Sequence, residues 1–274
     1  MPIKLTARAV DKPWGRVDFP GLFPNPGGRK IGEIWFESLA GGDLPLLVKY
    51  IFTSERLSIQ VHPNDAQAIP KGLPSGKQEC WYILDCEPDA TLGIGLIHAI
   101  SEADMRAAIA DGSIEQLLDW RLVKPGDFFF IPAGTVHAIG AGITLVEVQQ
   151  NADVTYRLYD YGRPRELHLE QGLAVSRLTP YDRKPVNIAM GETQVLLPAG
   201  TAPFRLAMVS WQAGEEVRPD GSAECWFIPL RGNGSIGGQP FEPGECWLAE
   251  APAAIAGGDP GTALIASFDR PVSA

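Results

Sequence analysis

The feature that most constrains this chain is the stretch GDFFFIPAGTVH at residues 126–137. Residues 128–131 are aromatic and β-branched, as a buried strand requires. Pro132 and Gly134 then force a tight turn, since proline fixes φ and glycine permits positive φ. His137 follows this turn directly. The stretch therefore predicts a strand, a turn and a second strand that begins by presenting an imidazole.

Three polar side chains upstream predict a metal site together with His137. Gln60 and His62 alternate in the segment QVH, so both lie on one face of a predicted strand. Glu79 opens another strand-like segment, ECWYIL. Two imidazoles, a carboxylate and an amide oxygen suit Zn²⁺ and leave positions for water or substrate, although Fe²⁺ and Mn²⁺ accept the same donors. The alternative is that both histidines are separate core residues and Glu79 is a surface charge.

Two lysines are candidates to line the same site. Lys49 is the single charge in the apolar segment LPLLVKYIF, so it either snorkels at an edge or points into a polar cavity. Lys77 lies two residues before Glu79, so both point into one cavity if that stretch is extended.

An aspartate and an arginine follow in the segment DVTYRLYD. The spacing of Asp153 and Arg157 predicts that both lie on one face of a strand. Arg157 could hold a phosphate or a developing enediolate by charge-assisted hydrogen bonds. The alternative is a surface ion pair of Arg157 with Asp153 or Asp160. His98 and His168 lie in charged or capping segments and are expected to be exposed.

Composition narrows the class of protein. The 274 residues include 30 glycines and 24 prolines scattered between short apolar segments, which is typical of many strands joined by turns. The net charge of −10, with no basic block, argues against a nucleic-acid partner but leaves room for a small anionic substrate. No apolar segment is long enough to span a membrane. The chain opens without a secretory apolar core and its cysteines form no C-x2-C pair, so we expect a cytoplasmic protein with reduced, mostly buried cysteines.

A faint internal repeat predicts two β units. The segment GKQECWYI at residues 76–83 is echoed by GSAECWFI at residues 221–228, and the linker TPYDRKP covers residues 179–185. We therefore predict domains at residues 1–180 and 181–274; the second contains no histidine and is expected to be structural. Residues 81–84 and 90–96 are expected to pair as strands. Ser101 predicts a helix over residues 102–110, followed by a short helix to about residue 118 and a weak one over residues 166–177.

Four ordered motifs, LSIQVHPND, GKQECWYIL, PAGTVHAIG and DVTYRLYDYGR, resemble type I mannose-6-phosphate isomerases of the short bacterial form. The third resembles the second cupin motif, with Ala141 in place of its last asparagine. The resemblance implies a mainly β fold with two cupin-like (jelly-roll) β-barrel domains and a few short helices. It also implies one Zn²⁺ per chain and interconversion of mannose 6-phosphate and fructose 6-phosphate through an enediol. The partner would be a sugar phosphate, and the chain a monomer or homodimer.

The resemblance also implies roles for individual residues. The family's zinc ligands fall on Gln60, His62, Glu79 and His137, and its catalytic arginine falls on Arg157. Lys77 and Asp153 fall on polar active-site positions, and Trp14 on an aromatic near the pocket. We expect Arg157, Lys77 and Asp153 to act in catalysis, and Trp14, Lys49, Lys77 and Arg157 to bind substrate.

The chain departs from the longer members of this family in two places. Gly76 occupies a position where longer members carry histidine, and their helical insertion is missing or reduced to residues 101–118. The base stays open between Lys77, Asp153, a metal-bound hydroxide and a shifted carboxylate.

Two other functions compete with the isomerase. A cupin oxygenase would use Fe²⁺, but a glutamine ligand argues against it. A sugar-phosphate sensor would bind without turnover, but Arg157, Lys77 and Asp153 beside a complete ligand set argue against a decayed site.

Overall fold

The computed structural model describes residues 1–19, 22–24, 26–39, 44–218, 224–249 and 253–268. Its strands in chain order are β1 Ile3–Lys4, β2 Thr6–Arg16, β3 Ile31–Glu37, β4 Leu46–Phe52, β5 Ile59–Val61, β6 Glu79–Cys86, β7 Thr91–Leu96, β8 Leu118–Leu122, β9 Asp127–Ile131, β10 His137–Ile139, β11 Ile143–Gln150 and β12 Tyr156–Tyr159. They continue with β13 Val186–Asn187, β14 Gln194–Leu197, β15 Phe204–Trp211, β16 Glu216–Val217, β17 Cys225–Arg231, β18 Gly234–Ile236, β19 Gln239–Phe241, β20 Trp247–Ala249, β21 Ile255–Gly257 and β22 Gly261–Phe268. The predicted mainly β fold is confirmed.

Helices are few and short. They are α1 Asp65–Ala68, α2 Glu102–Asp111, α3 Ile114–Leu117 and α4 Leu169–Val175, with a 3₁₀ turn at Ile69–Lys71. The predicted cap of α2 is confirmed, because the Ser101 side chain accepts a hydrogen bond from the backbone N–H of Asp104. The last helix is shorter than residues 166–177. None of the helices in the described ranges has the length and apolar character needed to cross a membrane.

The strands form four antiparallel sheets. The seven-stranded sheet has the order β13-β9-β6-β11-β4-β3-β2, and the five-stranded sheet the order β12-β5-β10-β7-β8. The six-stranded sheet has the order β1-β20-β17-β22-β15-β14, and the four-stranded sheet the order β16-β21-β18-β19.

The apolar cores show that the sheets are stacked in layers. One core lies between the seven- and five-stranded sheets and contains Trp81 and Leu92. A second, larger core lies between the other face of the seven-stranded sheet and the six-stranded sheet. It contains Tyr50 and Val146 of the former and Leu264 of the latter. A third core fills the space between the six- and four-stranded sheets. Helices α2 to α4 cover the outer face of the five-stranded sheet.

The predicted pairing of residues 81–84 with residues 90–96 is wrong. Strand β6 pairs with β9 and β11, whereas β7 pairs with β8 and β10. The two strands belong to different sheets that face each other across a shared core. Alternation of apolar residues predicts that a strand is present, but it does not choose the partner.

The sequence echo between the two halves does not place equal residues on equal faces. Trp81 packs in the core between the seven- and five-stranded sheets, whereas Trp226 packs in the core that joins the two halves. Residues 221–223 of the echo lie outside the described residues. Glu224 corresponds to Glu79 in the sequence echo, but this similarity does not indicate that Glu224 occupies an equivalent ligand position.

The beginning of each half is paired with a strand of the other half. Strand β1 pairs with β20 of the six-stranded sheet, and β13 pairs with β9 of the seven-stranded sheet. The division into domains at residue 180 stays a prediction. The four cysteines are all free, and Cys80, Cys225 and Cys246 are buried, as expected.

Candidate metal centre

Three side chains from separate strands meet inside the first half. His62 follows β5, Glu79 begins β6 and His137 begins β10, and all three are buried. Gly134 makes the turn before β10 with φ of +83°, and its N–H donates to the carbonyl of His62 at 2.9 Å. The turn thus fastens the segment that carries His137 to the segment that carries His62.

The donor atoms of these residues are close enough to share one ion. The Nε2 atoms of His62 and His137 lie 3.5 and 3.2 Å from the carboxylate oxygens of Glu79. One ligand atom from each residue lies within 4.8 Å of the others. Neither ring nitrogen of His62 has a hydrogen-bond partner within the described residues, although both are buried. Because a buried polar atom without a partner is costly, this donor set fits a metal ion.

A second contact orients His137 for metal binding. Its Nδ1 lies 2.8 Å from the carbonyl oxygen of Thr135. A carbonyl only accepts, so Nδ1 carries the proton and Nε2 keeps its lone pair facing Glu79. This is the arrangement that histidine ligands of metal ions ordinarily adopt.

The electrostatics of the cluster favour the binding forms of two ligands. Burial lowers the pKa of His62 to about 3, and the charge of Lys77 acts in the same direction, so this imidazole is neutral near pH 7. Burial acts to raise the pKa of Glu79, but Lys77 and the two histidines outweigh it and hold that pKa well below its usual range. A neutral imidazole and a carboxylate are the forms that bind a cation.

Gln60 lies next to the cluster, with its nitrogen turned toward it. It is the cross-strand partner of His137, and its Nε2 is 3.3 Å from Nε2 of that histidine. Its Oε1 accepts from the Ser58 hydroxyl at 3.2 Å. A half-turn of the amide would exchange the two atoms: the oxygen would face the cluster, and the nitrogen would donate to the Ser58 hydroxyl oxygen.

All other residues expected at the site line one cavity beside the cluster. Those residues are Trp14, Lys49, Lys77, Asp153 and Arg157, and Gln60 lines it too. Lys49 points into the cavity, where its Nζ lies 3.1 Å from Glu147 and 2.6 Å from Oε1 of Gln149. Lys77 lies 3.1 Å from Glu79. The charges of Glu79 and Glu147 outweigh burial and raise the pKa of Lys77.

The expectation that Asp153 and Arg157 share a strand face is wrong, although both line the cavity. Strand β12 begins at Tyr156, so the exposed Asp153 lies in the preceding loop. Arg157 is the cross-strand partner of Gln60, which places both on the same face of the five-stranded sheet. Its Nη1 donates to the carbonyl of Glu166 at 2.7 Å, and its buried Nε has no partner within the described residues. Burial and the charge of Arg165 lower its pKa.

The two remaining histidines differ from each other. His98 is exposed, as expected. His168 is half-buried at the start of α4, and its Nδ1 accepts from the backbone N–H of Arg157 at 3.2 Å. His168 therefore helps to fix the segment that carries Arg157.

Sequence reasoning missed Glu147 and Arg165. Glu147 is buried on the cavity wall, where Oε2 accepts from the indole N–H of Trp81 at 3.0 Å. The signal for Glu147 was present in the alternation of ITLVEVQ, where this carboxylate and Gln149 share the face of Leu145. Arg165 lies in an irregular segment and had no such signal.

Comparison of the sequence with curated proteins gives mannose-6-phosphate isomerases. The chain is 45% identical over 161 residues to the mannose-6-phosphate isomerase ManA of Bacillus subtilis, covering 54% of this chain and 51% of that one. It is 38% identical over 202 residues to the mannose-6-phosphate isomerase of Streptococcus mutans, covering 70% of this chain and 62% of that one. The chain thus spans between about half and three-fifths of the length of these relatives. No family model matches the sequence.

Comparison of the fold extends the similarity to nearly the whole chain. The crystal structure of the mannose 6-phosphate isomerase from Bacillus subtilis matches with a TM-score of 0.80 and 26% identity, covering 97% of this chain and 99% of that one. The structure of a putative mannosephosphate isomerase from Archaeoglobus fulgidus has a TM-score of 0.76 at 17% identity, with 98% of each chain covered, and shows the shared fold alone. The resemblance inferred from the four motifs is confirmed.

Proposed function

We propose that this chain, which resembles mannose-6-phosphate isomerases in sequence and in fold, is a zinc-dependent isomerase that interconverts mannose 6-phosphate and fructose 6-phosphate. The observation that carries this proposal is the buried cluster of His62, Glu79 and His137, which Gln60 and Lys77 connect to a cavity lined by several cationic side chains. Gln60 would complete the ligand set. A cytoplasmic location and a monomer or homodimer stay predictions from the sequence.

The ligands would hold the ion at one end of the cavity. When bound, a divalent metal there can orient and polarise sugar oxygens. Trp14 provides a buried apolar wall, and most of the other residues that line the cavity are buried as well.

Moving a proton between C1 and C2 requires a base in the cavity. Glu147 is a carboxylate outside the ligand set that is buried, lines the cavity and is held in place by Trp81 and Lys49. Asp153 is exposed and lies in a loop, so its position is less well fixed. We therefore assign the base to Glu147, with Lys77 as a donor to the sugar oxygens.

Arg157 would stabilise the anionic enediolate. It is the partner of Gln60 on the neighbouring strand, and a cation at this place would stabilise the negative charge that develops in the reaction. Its guanidinium donates to the backbone carbonyl of Glu166, so little reorganisation is needed as the charge appears.

A coupled assay of mannose 6-phosphate conversion tests the proposal. We expect fructose 6-phosphate to accumulate to equilibrium without consumption of oxygen. Oxygen consumption would instead indicate the cupin oxygenase, and binding of the sugar phosphate without conversion would indicate the sensor.

A further inference from the structure

The three lysines of the cavity are each matched by a carboxylate. The pairs, each separated by 3.1 Å, are Lys12 with Glu33, Lys49 with Glu147 and Lys77 with Glu79. A phosphate dianion placed at any of these lysines would have to compete with a carboxylate already in contact. The lysine end of the cavity is therefore poorly suited to bind phosphate.

The arginine end of the cavity carries more positive charge than its carboxylates match. Arg163 and Arg165 share the buried carboxylate of Asp160, with N···O distances of 2.8 and 2.6 Å. Among the described residues, the other carboxylate within 4.0 Å of either arginine is that of the exposed Glu55, 3.8 Å from Arg163. Arg157 has no carboxylate within 4.0 Å among the described residues.

Arg163 and Arg165 differ in what else they contact. Nη2 of Arg163 also donates to the carbonyl of Arg56 at 2.8 Å, which ties this arginine to the loop before β5. Arg165 lines the cavity, whereas Arg163 does not. Arg165 is thus the member of the pair that a ligand can reach.

The orientation of Arg165 is fixed in advance. Its Nε and Nη2 each donate to a different oxygen of Asp160 at 2.6 Å. Its Nη1 makes no hydrogen bond within the described part of the chain. A guanidinium held by one edge keeps its remaining donors for an anion and loses little side-chain entropy on binding.

We propose that Arg165, positioned by Asp160, binds the phosphate group of the sugar phosphate. The identity of that ligand rests on the proposed function, whereas the preference for a phosphate rests on the charges and contacts of this segment. Arg157, opposite Gln60, is left to serve the reacting end of the sugar. Asp160 acts through Arg165 and is a positioning residue.

Calorimetric titration of the purified 274-residue chain with mannose 6-phosphate, inorganic phosphate and mannose tests the assignment. Arg165→Gln should weaken binding of mannose 6-phosphate by about 10- to 100-fold, as expected for a lost charge-assisted contact, and should leave binding of mannose unchanged. Lys12→Gln is the matched control, because it removes one positive charge from the same cavity but one that Glu33 already matches. Equal weakening by both variants, or no weakening by Arg165→Gln, would overturn the assignment.

Two further variants test the positioning role. Asp160→Asn should raise the KM for mannose 6-phosphate with little change in kcat. A variant that merely damaged the fold would instead lower kcat and also weaken the binding of mannose. Arg165→Lys keeps the charge but loses the fork with Asp160, so its affinity should fall between those of the wild type and Arg165→Gln. An Arg165→Lys variant as weak as Arg165→Gln would contradict a charge-based contact.

The test of phosphate binding by Arg165 can be distinguished from the test of the proposed isomerase activity. A wild-type protein that binds phosphate through Arg165 but does not isomerise mannose 6-phosphate would remove the proposed function and leave this site standing. A wild-type protein that binds neither mannose 6-phosphate nor inorganic phosphate would overturn the assignment of Arg165.

Discussion

At the scale of single residues, the neighbours of His137 orient its imidazole at the start of β10. The contact of Nδ1 with the Thr135 carbonyl selects the tautomer, and the turn at Gly134 sets the distance to His62. Metal binding and catalysis can be tested separately by single substitutions, because some side chains of the cavity are held by contacts outside the ligand cluster.

Arg157→Ala should keep the bound metal and lower kcat by about 10²–10³, the usual loss for one donor that stabilises a developing oxyanion. Steady-state kinetics with metal analysis on the same sample would measure both. An unchanged kcat would contradict this role of Arg157.

Glu147→Gln should likewise keep the metal and lower kcat by about 10²–10⁴, because general-base catalysis contributes this much. Glu33→Gln is the matched control, since Glu33 is also buried, lines the cavity and is paired with a lysine. If the two variants lose the same activity, Glu147 is not the base and the loss reflects the charge balance of the cavity.

The sequence predicts the candidate ligands well but the cavity less completely. His62, Glu79 and His137 come from segments whose alternation and turn residues show which side chains turn inward. Arg165 lies in an irregular segment, and its orientation depends on Asp160 and on the fold around it. Period-two alternation gives no information for such a segment.

At the scale of elements, the turn before β10 is the part that joins two ligand-bearing strands. Gly134 combines a positive φ with close packing, because a Cβ there would lie 2.9 Å from the carbonyl oxygen of Val175. Gly76 is restricted differently: a Cβ there would lie 2.4 Å from the backbone of Asn64. The close approach to Asn64 leaves no room for a side chain at position 76.

Gly134→Ala should lower the free energy of unfolding by about 1–3 kcal/mol through backbone strain and the clash with Val175. Gly162→Ala is the matched control, because Gly162 has φ of +78° but no atom within 4 Å of the added Cβ. Urea unfolding of both variants separates strain from clash, and equal losses would show that the packing at Gly134 is unimportant.

Strand identity was predictable from the sequence, but strand partnership was not. Apolar alternation and turn residues located β6 and β7, yet these strands lie in facing sheets. The choice of partner depends on contacts between segments far apart in the chain, which local patterns do not contain.

At the scale of the whole molecule, the layer between the two halves is a single apolar core. It joins the seven- and six-stranded sheets, and β1 and β13 cross between the halves. The faint repeat predicted two similar units but not that they share a core. Unfolding of one half would expose the apolar face of the other.

Leu264→Ala should therefore destabilise the candidate metal centre as well as the second half. This side chain is fully buried in the shared core, so the loss should be about 2–5 kcal/mol. Val195→Ala, at a position 61% exposed in the same six-stranded sheet, should change stability by less than about 0.5 kcal/mol. Urea unfolding followed by activity and by tryptophan fluorescence should give one coincident transition, and two separate transitions would show that the halves unfold independently.

The most direct test of the account is a zinc titration of chelator-treated protein, with mannose 6-phosphate isomerisation and bound metal measured on the same samples. Activity should return in proportion to bound zinc and reach its maximum at one ion per chain, whereas His137→Ala should regain neither. Full activity in the chelated protein, or zinc bound at one ion per chain by His137→Ala, would contradict a catalytic metal held by His62, Glu79 and His137.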